Sequence, residues 1–281
     1  MIRPRTFAAL AVLSLAAALL QPAAANAVTA PPQGSVAVIG DFGSGTDDER
    51  RVADLVARAH PAAIVTTGDN VYDDLGYAAL VGSYYGPWAS SGHMIPAVGN
   101  HDHAEGIRAF DEYFPRLRGR HVYSAGAGGI RFFILDSTTA LASPAARARQ
   151  RSWLERSLKA SPARWKVVVL HHPPYSSGVA HGPSPALRWP YGAWGADLVL
   201  SGHEHNYERL VTDGSTFVVD GSGGKALRPL GDAVPGSQAR FDADYGALFL
   251  SATDSELTGE FWSAAGDRID RFVLPRGELA S

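Results

Sequence analysis

Residues 36–72 read VAVIGDFGSGTDDERRVADLVARAHPAAIVTTGDNVY, two short apolar runs on either side of an amphipathic stretch. Val36-Ala37-Val38-Ile39 is apolar at every position and stops at Gly40-Asp41, the pattern of a strand buried on both faces. Thr46 and Glu49 stand at capping-box spacing, and Val52, Leu55, Val56 and Ala59 recur at helical spacing until Pro61 ends the pattern. Residues 62–67 form a second buried run, ending at Gly68-Asp69. The order strand, helix, strand predicts two parallel neighbouring strands. Parallel neighbours finish at one sheet edge, so Asp41 and Asp69 are expected side by side, in the crevice where open parallel sheets hold ligands.

The same arrangement recurs downstream. Residues 94–98 run into Gly99-Asn100-His101-Asp102, and residues 130–135 run into Asp136-Ser137. A helix is expected over residues 144–159, which carry Trp153, Leu154 and Leu158. Residues 165–170 lead to His171-His172-Pro173-Pro174, and residues 197–200 to Gly202-His203-Glu204-His205. Residues 216–219, 247–250, 257–262 and 269–274 read as further strands with no long helix between them. Residues 175–191, rich in Gly, Pro and aromatics, suit a cleft wall.

Taken singly, an Asp after a strand is a turn former or helix cap, and a lone Asn or His is a hydrogen-bonded structural residue. Five strand ends that each deliver a ligand-type residue instead predict one metal site, built from Asp41, Asp69, Asn100, His171 and the His203/His205 pair. On an extended backbone, residues two apart face one side, so His203 and His205 are expected to flank a metal pair. Oxygen and imidazole donors without any thiolate suit Fe, Zn or Mn. Six or seven ligands exceed what one open catalytic ion takes and suit two ions sharing a carboxylate, about 3.5–4 Å apart, as used for displacement at phosphorus.

The blocks Gly40-Asp41-Phe42-Gly43, Gly68-Asp69-Asn70-Val71-Tyr72, Gly99-Asn100-His101-Asp102, Val168-Val169-Leu170-His171 and Gly202-His203-Glu204-His205 resemble the five ordered blocks of the metallophosphoesterases. More narrowly they resemble purple acid phosphatases, since Gly43 stands where the wider superfamily has a metal-binding histidine and Tyr72 supplies a tyrosine instead. The resemblance implies an α/β fold, a two-sheet β-sandwich flanked by helices and built around βαβ units. It implies an acid phosphatase that cleaves phosphate monoesters with a metal-activated water at an Fe(III)–divalent centre, the divalent ion being Fe, Zn or Mn. Asp41, Tyr72 and His205 would hold Fe(III), Asn100, His171 and His203 the divalent ion, and Asp69 both. His171 is preferred over His172 because the family's ligand stands two residues before a proline, here Pro173. His101, and His181 in the loop Ser176–Ser184, would contact the phosphate or the leaving group, with Asp102 orienting His101 or a metal-bound group. Two other readings are a phosphodiesterase or nucleotidase with a Zn/Mn pair, and an exported metal- or phosphate-binding module.

Composition fixes the setting. Arg3 and Arg5 precede an apolar stretch at residues 7–20 that is shorter than the roughly 20 residues of a spanning helix, and Ala25-Asn26-Ala27 fits a cleavage site. Residues 1–27 are therefore expected to be a secretory signal peptide, leaving residues 28–281 as one catalytic domain without stable membrane contact. That remainder holds 23 basic and 28 acidic residues, which argues against nucleic-acid partners and leaves small phosphorylated substrates. Cysteine is absent, so no disulfide framework exists despite the expected export. Nothing in the composition sets an oligomeric state. "DGSGGKALR", residues 220–228, offers a glycine-rich turn whose amides could cradle phosphate.

Overall fold

A computed structural model of the chain describes Met1 and residues 30–72, 75–104 and 106–276. The expected signal peptide thus lies outside the described residues, Met1 apart. Strand β1 (Val36–Ile39), helix α1 (Asp47–Arg58) and strand β2 (Ala63–Thr66) form the expected unit, β1 and β2 pairing in parallel with Val38 opposite Val65. Thr46 caps α1 by accepting the Glu49 amide at 3.4 Å. The capping box is only half closed, because the Glu49 carboxylate accepts instead from the amides of Ser44 and Gly45 at 3.0 and 2.7 Å.

A π-helical turn (Ala78–Gly82) leads into α2 (Ser83–Ser91), β3 (Met94–Pro96), α3 (Asn100–Ala104), α4 (Ile107–Tyr113) and β4 (Tyr123–Ala127). There follow β5 (Ile130–Ile134), α5 (Ser137–Ala142), α6 (Pro144–Ala160), β6 (Trp165–Val169), β7 (Leu198–Ser201) and β8 (Tyr207–Thr212). The chain closes with β9 (Ser215–Asp220), β10 (Ser237–Phe241), β11 (Gly246–Ala252), β12 (Glu256–Ser263) and β13 (Arg268–Pro275). One sheet has the order β13-β12-β11-β1-β2-β3 and the other β10-β8-β9-β7-β6-β5-β4, which is the expected two-sheet α/β architecture. Among the described residues no helix is long and apolar enough to cross a membrane.

The inner strands are buried on both faces, and the alternation sorts their residues. Val36, Val38, Val65, Phe132, Val167, Val169 and Leu200 point into the space between the sheets. Ala37, Ile39 and Ile64 face outward, where Val52, Leu55 and Val56 of α1 cover them. Phe133, Val168 and Val199 lie under Leu154 and Leu158 of α6. Three apolar layers therefore separate helix, sheet, sheet and helix, and explain the uninterrupted apolar runs.

Strands β4 and β10 were not foreseen. They are half-buried edge strands, mostly of small and polar residues, with no apolar run. Strand β8 was missed because its buried Glu208 and half-buried Arg209 disguise it. The helical segment at 78–91 is broken up by Gly86 and Pro87, which hides its period.

Below the crevice, Asp220 at the end of β9 joins the two sheets. Its buried carboxylate accepts from the Leu248 amide of β11 at 3.2 Å and from the Ser222 hydroxyl at 3.3 Å. Burial, reinforced by the nearby Asp41 charge, pushes this carboxyl up to about 8. The folded chain then holds a proton that the unfolded chain releases near pH 3.8, so this group erodes stability as pH rises from there through about 8. Asp220→Asn, whose amide oxygen can accept from Leu248 while its nitrogen donates to the Ser222 hydroxyl oxygen, removes the charge and is expected to gain on the wild type between pH 5 and pH 8 in denaturant melts at equal metal loading. Parallel stability curves for the two proteins would refute this.

Candidate metal centre

Parallel strands of both sheets end at one place. From the first sheet, β1, β2 and β3 deliver Asp41, Asp69 and Asn100; from the second, β6 and β7 deliver His171 and the 203–205 turn. Asp41, Asp69 and His203 have φ of 55°, 51° and 71°, left-handed values that strain a residue with a Cβ by on the order of 1 kcal/mol. The chain thus turns sharply as it leaves three different strands, aiming these side chains back across the sheet ends. His203 being left-handed corrects the expectation of an extended His-x-His: the two rings diverge from a turn rather than from a strand.

One lobe gathers Asp41, Tyr72 and His205. The Tyr72 hydroxyl donates to Asp41 Oδ1 at 2.8 Å and lies 3.2 Å from His205 Nε2, which is 3.4 Å from Asp41 Oδ1. The other lobe gathers Asp69, Asn100, His171 and His203. His171 Nε2 lies 3.0 Å from Asn100 Oδ1, 3.3 Å from Asp69 Oδ2 and 3.2 Å from His203 Nδ1. Donor atoms of Asp69, His171 and His203 all fall within 4.8 Å of one another. Asp69 belongs to this lobe, yet its charge also acts on the Tyr72 hydroxyl of the other.

The histidine tautomers test whether a cation fits. His171 Nδ1 lies 2.9 Å from the Thr67 carbonyl and His205 Nδ1 lies 2.8 Å from the Ala226 carbonyl. A carbonyl only accepts, so each Nδ1 carries the hydrogen and each Nε2 turns a lone pair inward. Those lone pairs face the Asn100, Asp69 and Asp41 oxygens at 3.0, 3.3 and 3.4 Å, which repel them unless a positive charge sits among them. Burial opposes charge on His171, but the Asp69 and Asp41 carboxylates lift it to about 9, so a proton takes that role. Burial likewise opposes charge on His205, and its bond to Asp41 raises it. Burial, then His171 and the other surrounding imidazoles, pushes His203 down. Burial together with Asp41 and Asp69 holds the Tyr72 phenol well above its ordinary range. Three oxygens, three imidazole nitrogens and a phenol, without sulfur, match a borderline-to-hard metal pair.

Between the two adjacent candidates, His171 is fully buried with Nε2 in the cluster, whereas His172 bonds Ser137 Oγ at 2.9 Å and packs its ring 4.3 Å from that of His203. The His101 ring lies tilted against Tyr72 with centroids 4.4 Å apart, and its amide donates to Asp69 Oδ1 at 2.8 Å. The exposed His181 stacks on His203 at 4.2 Å, so all nine sequence-predicted residues meet here.

Asp102 does not orient His101. Buried, it accepts from the Asn70 amide and Asn70 Nδ2 at 3.1 and 2.9 Å, the Gly99 amide at 2.8 Å and the Tyr77 hydroxyl at 2.6 Å, tying together the two loops that carry Asp69 and Asn100. Two buried carboxylates escaped the sequence reading. Glu204 accepts from the amides of His181 and Gly182, the first at 2.7 Å, and Glu208 accepts from the Ser177 amide at 2.6 Å. The signal was present in the spacing Glu204-x-x-x-Glu208, but a Glu beside ligand histidines reads as solvated until the fold buries it. His103 pairs with Asp136 at 3.1 Å, and Asp136 caps α5.

Gly43 explains the place of Tyr72. A Cβ on Gly43 would stand 1.9 Å from the Asn70 carbonyl oxygen, while the Tyr72 amide donates to the Gly43 carbonyl at 2.9 Å. No side chain at 43 can reach the site, and the strap pressed against it carries the phenol there.

The model of the calcineurin-like phosphoesterase family matches residues 34–207. The chain is 28% identical to purple acid phosphatase 17 of Arabidopsis thaliana over 90% of its length and 88% of the relative's. In fold it resembles the yellow lupin purple acid phosphatase PPD1, with TM-score 0.68, 18% identity and coverage of 89% of this chain and 56% of that one. It also resembles GAP50, described as the anchor in the inner membrane complex of Plasmodium, with TM-score 0.70, 19% identity and coverage of 89% and 91%.

Gly43→Ala is expected to cost roughly 1–3 kcal/mol, as backbone-limited overpacking does, and to lower metal content by displacing the Tyr72 strap. Thermal melts and elemental analysis check this; a variant with wild-type stability and metal content would contradict it.

Proposed function

Because the chain belongs to the calcineurin-like phosphoesterase family, whose members of this type imply a binuclear metal centre, we propose that it is an exported acid phosphatase acting on small phosphate monoesters. The proposed metals are Fe(III), held by Asp41, Tyr72 and His205, and a divalent Fe, Zn or Mn ion, held by Asn100, His171 and His203, with Asp69 shared. The observation that carries this reading is the buried Tyr72 hydroxyl within 3.2 Å of His205 Nε2 and 2.8 Å of Asp41 Oδ1, because a phenol so placed becomes a ligand only beside a strong Lewis acid. When bound, such a pair neutralises phosphoryl oxygens and acidifies a water for attack on phosphorus.

The chain's own residues do the rest. Nδ1 contacts to Thr67 and Ala226 fix the rings of His171 and His205. His101, on the helix that begins at Asn100, and His181, stacked on His203, stand where a leaving oxygen needs a proton or a phosphate needs a donor. Glu204 holds the His181 backbone at 2.7 Å, so an exposed loop residue keeps a defined place. The leader at residues 1–27 supports export, and cleavage after Ala27 would appear in N-terminal sequencing of the exported protein.

Elemental analysis of the purified protein is expected to find two metals per chain, at least one of them iron, with a visible absorption band. Tyr72→Phe is expected to lose that band, and Asp69→Asn to lower kcat/KM on an aryl phosphate by more than roughly 10²–10³-fold, the loss typical of removing one electrostatic catalytic group. A colourless Zn or Mn protein that prefers diesters would favour the phosphodiesterase reading. A fully metallated protein without hydrolysis would favour a binding module.

A further inference from the structure

The glycine-rich turn after β9 does something other than present its amides to phosphate. Its amides bond along the end of β1: Gly223 donates to the Gly40 carbonyl at 2.9 Å and Lys225 to the Asp41 carbonyl at 2.8 Å. This approach requires glycine, because a Cβ on Gly223 would stand 2.4 Å from the Gly40 oxygen and 2.9 Å from Phe42 Cβ. Lys225 is thereby fixed beside the Asp41 backbone, and its ammonium lies 4.5 Å from the centre of the Tyr72 ring. Among the described residues that ammonium has no carboxylate partner within 4 Å, although the chain has more acids than bases.

We infer that Lys225 is a positioning residue acting through Tyr72, its ammonium held over the ring to stabilise negative charge there when the phenol is a metal ligand. The inference rests on the reading of Tyr72 as an iron ligand. The Tyr72 oxygen sits against Asp41, with the Asp69 charge near, so charge arriving on the ring meets like charge at its polar end. A cation over the ring face offsets that repulsion through the ring quadrupole and directly by Coulomb attraction, in a partly buried place where both are strengthened. An electron moved by light from phenolate to Fe(III) leaves an orbital that this cation lowers, so the transition needs more energy. Removing the cation therefore shifts the band to longer wavelength. It also lets the phenolate give more density to iron, which lowers the Fe(III)/Fe(II) potential.

The test uses the iron-loaded full chain with the wild type, Lys225→Met and Lys225→Arg, reading visible spectrum, midpoint potential and iron content at one pH. The expected result is a longer-wavelength band and a lower potential for Lys225→Met at unchanged iron content. Lys225→Arg, which keeps the charge, stays close to the wild type. Lys225→Gln serves as a second neutral variant if Lys225→Met fails to fold. A coloured wild type whose band and potential do not move in the neutral variants overturns the inference. If those variants instead only weaken inhibition by inorganic phosphate, Lys225 is a substrate contact and the inference also falls. A colourless iron-loaded wild type overturns the Tyr72 reading and this inference with it.

Discussion

Asp41, Asp69, Asp102 and Glu204 are all buried around one set of strand ends, and a buried carboxylate is costly unless something positive or a set of donors meets it. The structure divides the task. Asp102 and Glu204 are met by backbone amides and become struts of the surrounding loops. Asp41 and Asp69 each accept one backbone amide, from His203 and His101 at 2.8 Å, and turn their other oxygen toward the Tyr72 hydroxyl and His205 and toward His171 respectively, an arrangement that suits a cation. The ordering shows in protonation: burial is overcome for Asp69, which the neighbouring His171 holds low, while burial and the Asp69 charge push Asp102 up.

Everything that positions those side chains follows from letting two sheets end together. Neither sheet alone carries a complete lobe, since Asp41 of the first meets His205 from the second, and Asp69 of the first meets His171 from the second. Asp220, with its links from β9 to Leu248 of β11 and from its carbonyl to Thr67 Oγ1 at 3.0 Å, fixes the spacing of the sheets directly beneath the site. Left-handed backbone at Asp41, Asp69 and His203 turns three segments of the chain inward at the sheet ends, local strain that the packed strands below sustain.

The GHEHNYE segment, residues 202–208, joins inner site and outer loop. His203 and His205 face the lobes, whereas Glu204 and Glu208 face away and bind the loop at 177–182. One stretch therefore orients both the proposed ligands and the exposed His181 that stacks on His203. The glycine turn at 221–224 is the counterpart on the other side, setting Lys225 over Tyr72.

The sequence by itself determined the βαβ unit, the long α6 and the order of five residue blocks at strand ends, because burial on both faces writes an unbroken apolar run and glycine with a polar residue writes its end. Set beside the family it resembles, it also exposed the exchange of a side chain at 43 for Tyr72. Edge strands β4 and β10 stayed hidden, being half exposed and, Tyr123 and Phe241 apart, made of small and polar residues. Strand β8 stayed hidden because its polar residues are paid for only by distant partners, Glu208 by Ser177 and Arg209 by Asp270. Tertiary structure alone decided that His203 is left-handed, that Asp102 braces two loops rather than His101, and that Lys225 reaches Tyr72 from more than 150 positions away. Each of these depends on a contact between segments distant in the chain, and such contacts leave no local periodicity or spacing to read.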